Sequence, residues 1–361
     1  MKRIIISVTN DLSTDQRVEK TCNTLHANNF DILLIGRVLK NSAALNRNYK
    51  TKRISLLFNK GVLFYMEFNI RLFFILIFSK KDILLSNDLD TLPANYLASF
   101  LQRKKLVYDS HELFSEIPEL VERLFVKKVW IGLEKFLIPK VKNCYTVCKS
   151  IASHYNRKYR TNFKVIRNFP VQKEIVKGEF DFSTDNKKII LYQGAINAGR
   201  GLELIIKTMH LLPDFLLVII GSGDVMEDLN NLVEQENLEN KVLFLGRIIP
   251  EKLQKLTPLA DLGISIEENL GLNYKYALPN KIFDYVQAEV PVLVSDLPEM
   301  KQIVTEYNIG EILINRTPES MANQIIKMLQ KDYSSNLKKA KVELIWENEE
   351  KKLLTIFNNL K

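Results

Sequence analysis

The chain has 361 residues, 46% of them apolar and 26% charged. That length is large for one hydrophobic core and natural for two domains, and the balance excludes disordered and collagen-like chains. Three cysteines and four scattered histidines, at 26, 111, 154 and 210, form neither an even disulfide framework nor a zinc spacing, so reduced thiols and a cytoplasmic location are expected. The opening, MKRIIISVTN, runs straight into a strand-like segment and carries no signal-peptide cleavage pattern.

The net charge of +9 is unevenly placed. Residues 1–170 hold 29 Lys+Arg against 14 Asp+Glu, a net of +15; residues 171–361 hold 22 against 28, a net of −6. A basic half suits an anionic partner such as a membrane surface, a phosphorylated lipid or nucleic acid. Nucleic acid is set aside, because no recognition motif accompanies the charge.

Short apolar runs at residues 4–8, 32–35, 83–85, 106–108, 144–147 and 164–166 predict strands. Between them, segments such as 18–27 and 92–101 repeat apolar residues at helical spacing. Continuous apolar strands alternating with helices predict a parallel sheet covered on both faces. The alternation breaks at Asn168-Phe-Pro170 and a polar stretch over 171–186, then restarts with runs at 189–192, 216–220, 242–245, 262–266, 292–294 and 312–314. The simplest architecture is two doubly wound α/β units, 1–172 and 173–340, followed by a terminal segment, 341–361. Within the first, LFFILIF at 72–78 is flanked by Arg71, Lys80 and Lys81. Seven apolar residues do not span a bilayer, so either a buried helix or a membrane-surface helix is expected.

Candidate chemistry sits where strands end, since open parallel sheets bind ligands beyond their carboxyl edge. The first strand leads into Asn10-Asp11 and then Asp15 and Arg17. No GxGxxG follows it, which speaks against a nicotinamide or flavin cofactor. Asp15 and Arg17 are candidate binding residues, or else cap and decorate a helix start. Tyr108-Asp-Ser-His111-Glu112 places His111 at a strand end, where it can bond a sugar hydroxyl or share a developing charge; Glu112 is a further candidate. Asp88 and Asp90 form a DxD, but such pairs are common on loops and no metal site is expected.

In the second half, a strand runs through Gly194 into Gly199-Arg200-Gly201 and a helix start. Glycines permit close backbone approach there, and Arg200 supplies a bidentate cation for a diphosphate. Gly221 and Gly223, then Gly246 and Arg247, repeat the layout after the next two strands. In LPNKIFDY, Pro279 suits a helix start. Asn280 and Lys281 follow at the positive end, and Asp284 shares a face with Lys281, placed to accept ribose hydroxyls.

These residues resemble glycosyltransferase family 4, the retaining GT-B enzymes. The resemblance rests on LPNKIFDYVQAEVPVLVSD, YQGAINAGRGLELI and VYDSHELFSE. It implies two Rossmann-like domains facing a central cleft, with Arg200 and Lys281 on the diphosphate of a nucleotide-sugar donor, Asp284 on the ribose, and His111 against the transferred sugar. The turns at Gly221–Gly223 and Gly246-Arg247 would frame the base. It further implies an acceptor side on the first domain, with Asp15, Arg17 and Glu112 as its candidates, and a last helix packing back on that domain. One departure concerns the family's paired glutamates: Asp284 stands for the second, Tyr276 occupies the place of the first, and Glu267 and Glu268 are out of register. The other is Asn10-Asp11 in place of a glycine-rich loop after the first strand.

The expected activity is transfer of a sugar to a glycan or lipid-linked acceptor without a metal or cofactor, at the inner face of the cell membrane. A nucleotide-sugar epimerase and a non-catalytic glycan- or membrane-binding protein are the rivals. No feature of the sequence assigns an oligomeric state.

Overall fold

The computed structural model describes residues 1–13, 15–116 and 123–360. The chain divides into two compact units, residues 1–168 with 347–361, and residues 169–346. The anticipated boundaries, 172/173 and 340/341, thus lie a few residues to either side. Phe169 packs edge-on against Phe283, and the Trp346 amide donates to the Pro170 carbonyl, so both chain crossings belong to the second unit.

Among the described residues, the first unit is built on seven strands: β1 (Lys2–Asp11), β2 (Phe30–Arg37), β3 (Lys50–Ile54), β4 (Ile83–Asn87), β5 (Lys105–Ser110), β6 (Asn143–Thr146) and β7 (Lys164–Val165). Their order is β3-β2-β1-β4-β5-β6-β7, and every pairing is parallel. Ile4, Ile5 and Ile6 in the central strand are wholly buried, as a strand covered on both faces requires. The helices are α1 (Gln16–Ala27), α2 (Gly61–Phe78), α3 (Asp88–Gln102), α4 (Leu124–Leu137) and α5 (Lys149–Tyr159). Edge strand β3, KTKRI, has no apolar run and was not anticipated; its first three residues are exposed.

The LFFILIF segment belongs to a longer element than its composition suggested. Helix α2 covers 18 residues with mean hydropathy 1.8, and only 22% of it is buried. Phe64, Phe68, Leu72 and Leu76 face the interior at four-residue spacing. Lys81 does not flank it as a free cation. It is buried, and its ammonium donates to the Leu76 and Ser79 carbonyls and to Gln102 Oε1.

The second unit holds β8 (Lys188–Ala195), β9 (Phe215–Ser222), β10 (Val242–Gly246), β11 (Leu262–Ser265), β12 (Val292–Val294) and β13 (Gly310–Ile312), in the order β10-β9-β8-β11-β12-β13, again all parallel. Its helices are α6 (Leu202–Thr208), α7 (Met226–Gln235), α8 (Pro250–Leu256), α9 (Leu272–Lys275), α10 (Asn280–Gln287), α11 (Pro298–Tyr307), α12 (Pro318–Met328) and α13 (Ser334–Glu343). The last helix, α14 (Trp346–Asn358), packs on the first unit: Glu350 accepts from Thr24 Oγ1 at 3.0 Å, and Phe357 meets Phe30 edge-on. Each sheet therefore has a carboxyl edge formed by β1, β4 and β5 or by β8, β9 and β11, and the candidate residues gather there.

Candidate functional site

In the second unit, strand β8 delivers Gly194 to the sheet edge with φ +134°, a conformation side chains rarely adopt. A Cβ there would lie 3.4 Å from Lys281 Cε, so the bare glycine leaves the channel in which the lysine runs. Lys281 is the second residue of α10, which starts cleanly because Pro279 precedes it in an extended conformation. Its ammonium lies 3.9 Å from the centroid of the Tyr192 ring and donates to Glu267 Oε1 at 3.0 Å. Arg200 approaches the same oxygen at 3.7 Å, with its guanidinium 5.2 Å from the Tyr274 ring centroid. The expected diphosphate pair, Arg200 and Lys281, thus meets on a shared carboxylate.

That carboxylate was missed. Spacing from Asp284 pointed to position 276, yet Tyr276 ends the short helix α9, and the acidic group comes from Glu267, just beyond β11. Glu267 is 1% exposed. Burial would raise its pKa, but Lys281, Ser265 and Arg200 outweigh burial and hold it below the ordinary carboxylate range. Ser265 Oγ donates to its Oε2 at 2.8 Å, while Ser295 Oγ and Arg316 bond its backbone carbonyl. The turn carrying Glu267 is therefore fixed from both sides.

Asp284, one turn beyond Lys281, accepts from Gln193 Nε2 at 3.1 Å, and Gln193 is itself held by Thr257 and Tyr285. Asn280 is exposed at the start of α10. Gly221 and Gly223 answer to packing: a Cβ at Gly221 would stand 1.8 Å from the Gly194 carbonyl oxygen, and one at Gly223 2.0 Å from that of Ile196. These glycines let the β8 and β9 ends meet and need no ligand to account for them. Arg247 is exposed just after β10 and lines a cavity of about 400 Å³ with Phe180, Phe182, Leu245, Ile248 and Lys252.

In the first unit, a row of alternating charges crosses the carboxyl ends of β4 and β5. Arg17 is buried and grips Asp109 through two bonds of 2.8 and 3.0 Å. Asp109 also meets His111 Nε2 at 3.2 Å, and Asp88 meets His111 Nδ1 at 3.1 Å. Arg17 is consequently no surface acceptor-side group: helix α1 turns it inward to neutralise a buried carboxylate. Asp15 is the N-cap of the same helix, accepting from the Val18 amide at 3.1 Å, so the capping alternative holds for it. Glu112 is partly buried, and its backbone carbonyl accepts from Ser110 Oγ. Asp88 and Asp90 diverge, one to His111 and the other to Thr9 Oγ1.

Asp88 has φ +57°, a left-handed conformation costly for a residue with a side chain. Its backbone geometry is sustained by the packed strand end and by the His111 amide, which donates to its Oδ1 at 2.8 Å. Burial pushes the Asp88 pKa up to about 7 against the pull of His111. Burial would lower the His111 pKa, but Asp88 and Asp109 outweigh it and push it up to about 9. With both ring nitrogens on carboxylates, His111 is held as an imidazolium and offers no lone pair to a proton donor.

A pH dependence follows. A histidine whose folded pKa is raised stabilises the fold fully below its unfolded value, near 6.5, and loses that contribution as pH rises to about 9. The melting temperature of the wild type should therefore exceed that of His111→Gln most at pH 6, with the gap shrinking by pH 9.5. A gap that stays constant or widens with pH would show that His111 is not protonated in the folded state.

Residues 177–343 match the sequence family described as glycosyl transferases group 1. The chain is 28% identical over 184 residues to a glycosyltransferase of Methanocaldococcus jannaschii, covering 48% of this chain and 45% of that one. It is 23% identical over 176 residues to the alpha-galactosylglucosyldiacylglycerol synthase of Streptococcus pneumoniae, covering 42% and 45%. The matched stretch thus spans less than half the length of each relative. Among solved structures, sucrose-phosphate synthase from Thermosynechococcus elongatus superposes with a TM-score of 0.80 at 14% identity, covering 100% of this chain and 99% of that one. HepE of Anabaena, solved with UDP and glucose, gives 0.76 at 14% identity, covering 99% and 100%. The fold is that of the GT-B enzymes, and the family match and relatives support a glycosyltransferase of the group 1 kind.

Proposed function

We propose that the protein transfers a sugar from a nucleoside-diphosphate donor to a glycan or lipid-linked acceptor, with retention of anomeric configuration. The observation that carries this reading is the convergence of Arg200 and Lys281 beside the Gly194 turn at the start of α10. Two cations and the amides of a helix start form a charge trap suited to a diphosphate. Asp284, fixed by Gln193 one turn further along, suits the hydroxyls of a ribose.

In the reaction, the bond from the anomeric carbon to the diphosphate oxygen breaks, and the acceptor oxygen bonds that carbon from the same face. The leaving oxygen takes the acceptor's proton, so no enzyme nucleophile is needed. Arg200 and Lys281 stabilise the negative charge that grows on the diphosphate, which is where fixed electrostatic groups lower a barrier most. His111, with both N–H groups given to Asp88 and Asp109, keeps a fixed positive charge at the carboxyl ends of β4 and β5 and does not act as a base. No metal is required in this reading.

Nucleoside diphosphates and their sugars should raise the melting temperature of the wild type by mass action. Arg200→Ala should weaken that shift and lower kcat/KM for the donor by roughly tenfold to a hundredfold, the loss of one charge-assisted phosphate contact. Excess EDTA should leave turnover unchanged. Wild-type donor use by Arg200→Ala would remove the diphosphate assignment. Loss of activity in EDTA with recovery on adding magnesium would move charge neutralisation from these side chains to a metal.

A further inference from the structure

The apolar surface of the first unit is not confined to its core. Helix α2 carries two stripes at four-residue spacing. One is the buried set, Phe64, Phe68, Leu72 and Leu76; the other is Val62, Met66, Ile70, Phe74 and Phe78, each more than half exposed. A helix on a soluble surface normally turns charged residues outward, and here the outward stripe is as apolar as the inward one. Right-handed crossovers put α2, α3 and α4 on the same face of the sheet. Tyr65 of α2 meets Trp130 of α4 at 5.0 Å between ring centroids, so these helices are neighbours. Both continue the exposed apolar character, α3 with Leu97, Phe100 and Leu101, and α4 with Leu124, Phe125 and Phe136.

The charges on these three helices and at their ends sort by sign. Each carboxylate of α2, α3 and α4 is turned inward or tied. Glu67 pairs with Arg71 and caps the Leu57 and Phe58 amides. Asp88 and Asp90 lie in the His111 and Thr9 contacts, and Glu134 is buried against Lys158 and Tyr159. The exposed cations are Lys80, Arg103, Lys128, Lys135 and Lys140, against one exposed carboxylate beside them, Asp82, which accepts from the Arg3 amide. Lys140 lies over the Phe136 ring at 3.0 Å from its centroid, a cation seated among the exposed aromatics.

We propose that the α2–α3–α4 face docks on an anionic lipid bilayer, its apolar side chains entering the headgroup boundary and its lysines and arginines meeting the lipid phosphates. This site is separate from the sugar-transfer reading and does not depend on it. Helix α2 lies in the interface rather than crossing it, because its buried stripe is part of the domain interior. A second copy of the chain is disfavoured as the occupant: a two-fold contact would set this cationic rim against itself.

The test is co-sedimentation of the full chain with vesicles of phosphatidylglycerol and phosphatidylcholine, beside vesicles of phosphatidylcholine alone. Binding should require the anionic lipid and fall as salt rises. Ile70→Glu/Phe74→Glu should reduce it by about tenfold or more, because two apolar anchors become anions. Lys128→Glu/Lys135→Glu should reduce it while leaving the apolar stripe intact. These side chains are exposed, so all variants should keep the wild-type melting temperature; Phe100→Glu provides an independent probe should the α2 variant fail to fold. The proposal is overturned if the wild type stays in the supernatant with anionic vesicles at low salt. It is also overturned if binding to neutral vesicles is equal, or if the protein sediments as a dimer that Phe74→Glu dissociates.

Discussion

Lys281→Ala is expected to do two separable things: to cut donor use and to destabilise the second unit. The first follows from losing a charge-assisted phosphate contact, roughly a tenfold to hundredfold fall in kcat/KM. The second follows from Glu267. That carboxylate is 1% exposed, and its shortest ion pair is the 3.0 Å contact with Lys281; Arg200 is further off, at 3.7 Å. Removing one partner of a buried pair strands the other charge, at a cost of about 3–5 kcal/mol. In a domain of this size the melting temperature should fall on the order of 10 °C. The double variant Lys281→Ala/Glu267→Gln separates the two effects. The amide keeps an acceptor for Ser265 Oγ and removes the stranded charge, so most of the melting temperature should return while donor use stays low. If the double variant regains donor use as well, Lys281 acts only as a counter-ion to Glu267 and the diphosphate assignment fails.

The contrast between Lys281 and Glu267 shows what the sequence carried. Lys281 was legible because a proline, a lysine and an aspartate at fixed spacing on one short helix are local facts. Glu267 was not, because its meeting with Lys281 depends on where β11 delivers its last residues relative to α10, and counting back from Asp284 led to Tyr276 instead. The inner strands were legible for a physical reason: a parallel strand covered on both faces reads as an unbroken apolar run, as 4–8 and 216–220 do. Strand β3 escaped because an edge strand needs only one covered side and KTKRI is mostly solvated. Helix α2 was only half visible. A helix apolar on two opposite stripes has little amphipathic period, so only its densest seven residues stood out. Arg17 was misread for a related reason: at a helix start it looks like surface decoration, and Asp109, the partner that draws it inward, is 92 residues away.

That long-range pair sets the last expectation, Asp109→Ala. Asp109 is fully buried and holds two cations, Arg17 through paired bonds and His111 through one. Its truncation leaves Arg17, 5% exposed, without its principal counter-charge, and the loss should again be about 3–5 kcal/mol, now in the first unit. Arg17→Met/Asp109→Ala should lose less than the two single variants together, since an apolar replacement of a buried pair is often close to neutral. A melting temperature alone would not distinguish this network from ordinary packing, so the second readout is the titration of His111. In Asp109→Asn the shape is kept and one of two neighbouring negative charges is gone. The His111 pKa should then move down from about 9, followed by the imidazole proton resonances. Asp88 remains, so the shift should be partial. An unchanged His111 titration in Asp109→Asn would mean that Asp88 alone fixes the imidazolium, and that Asp109 serves Arg17 and the fold without reaching the site.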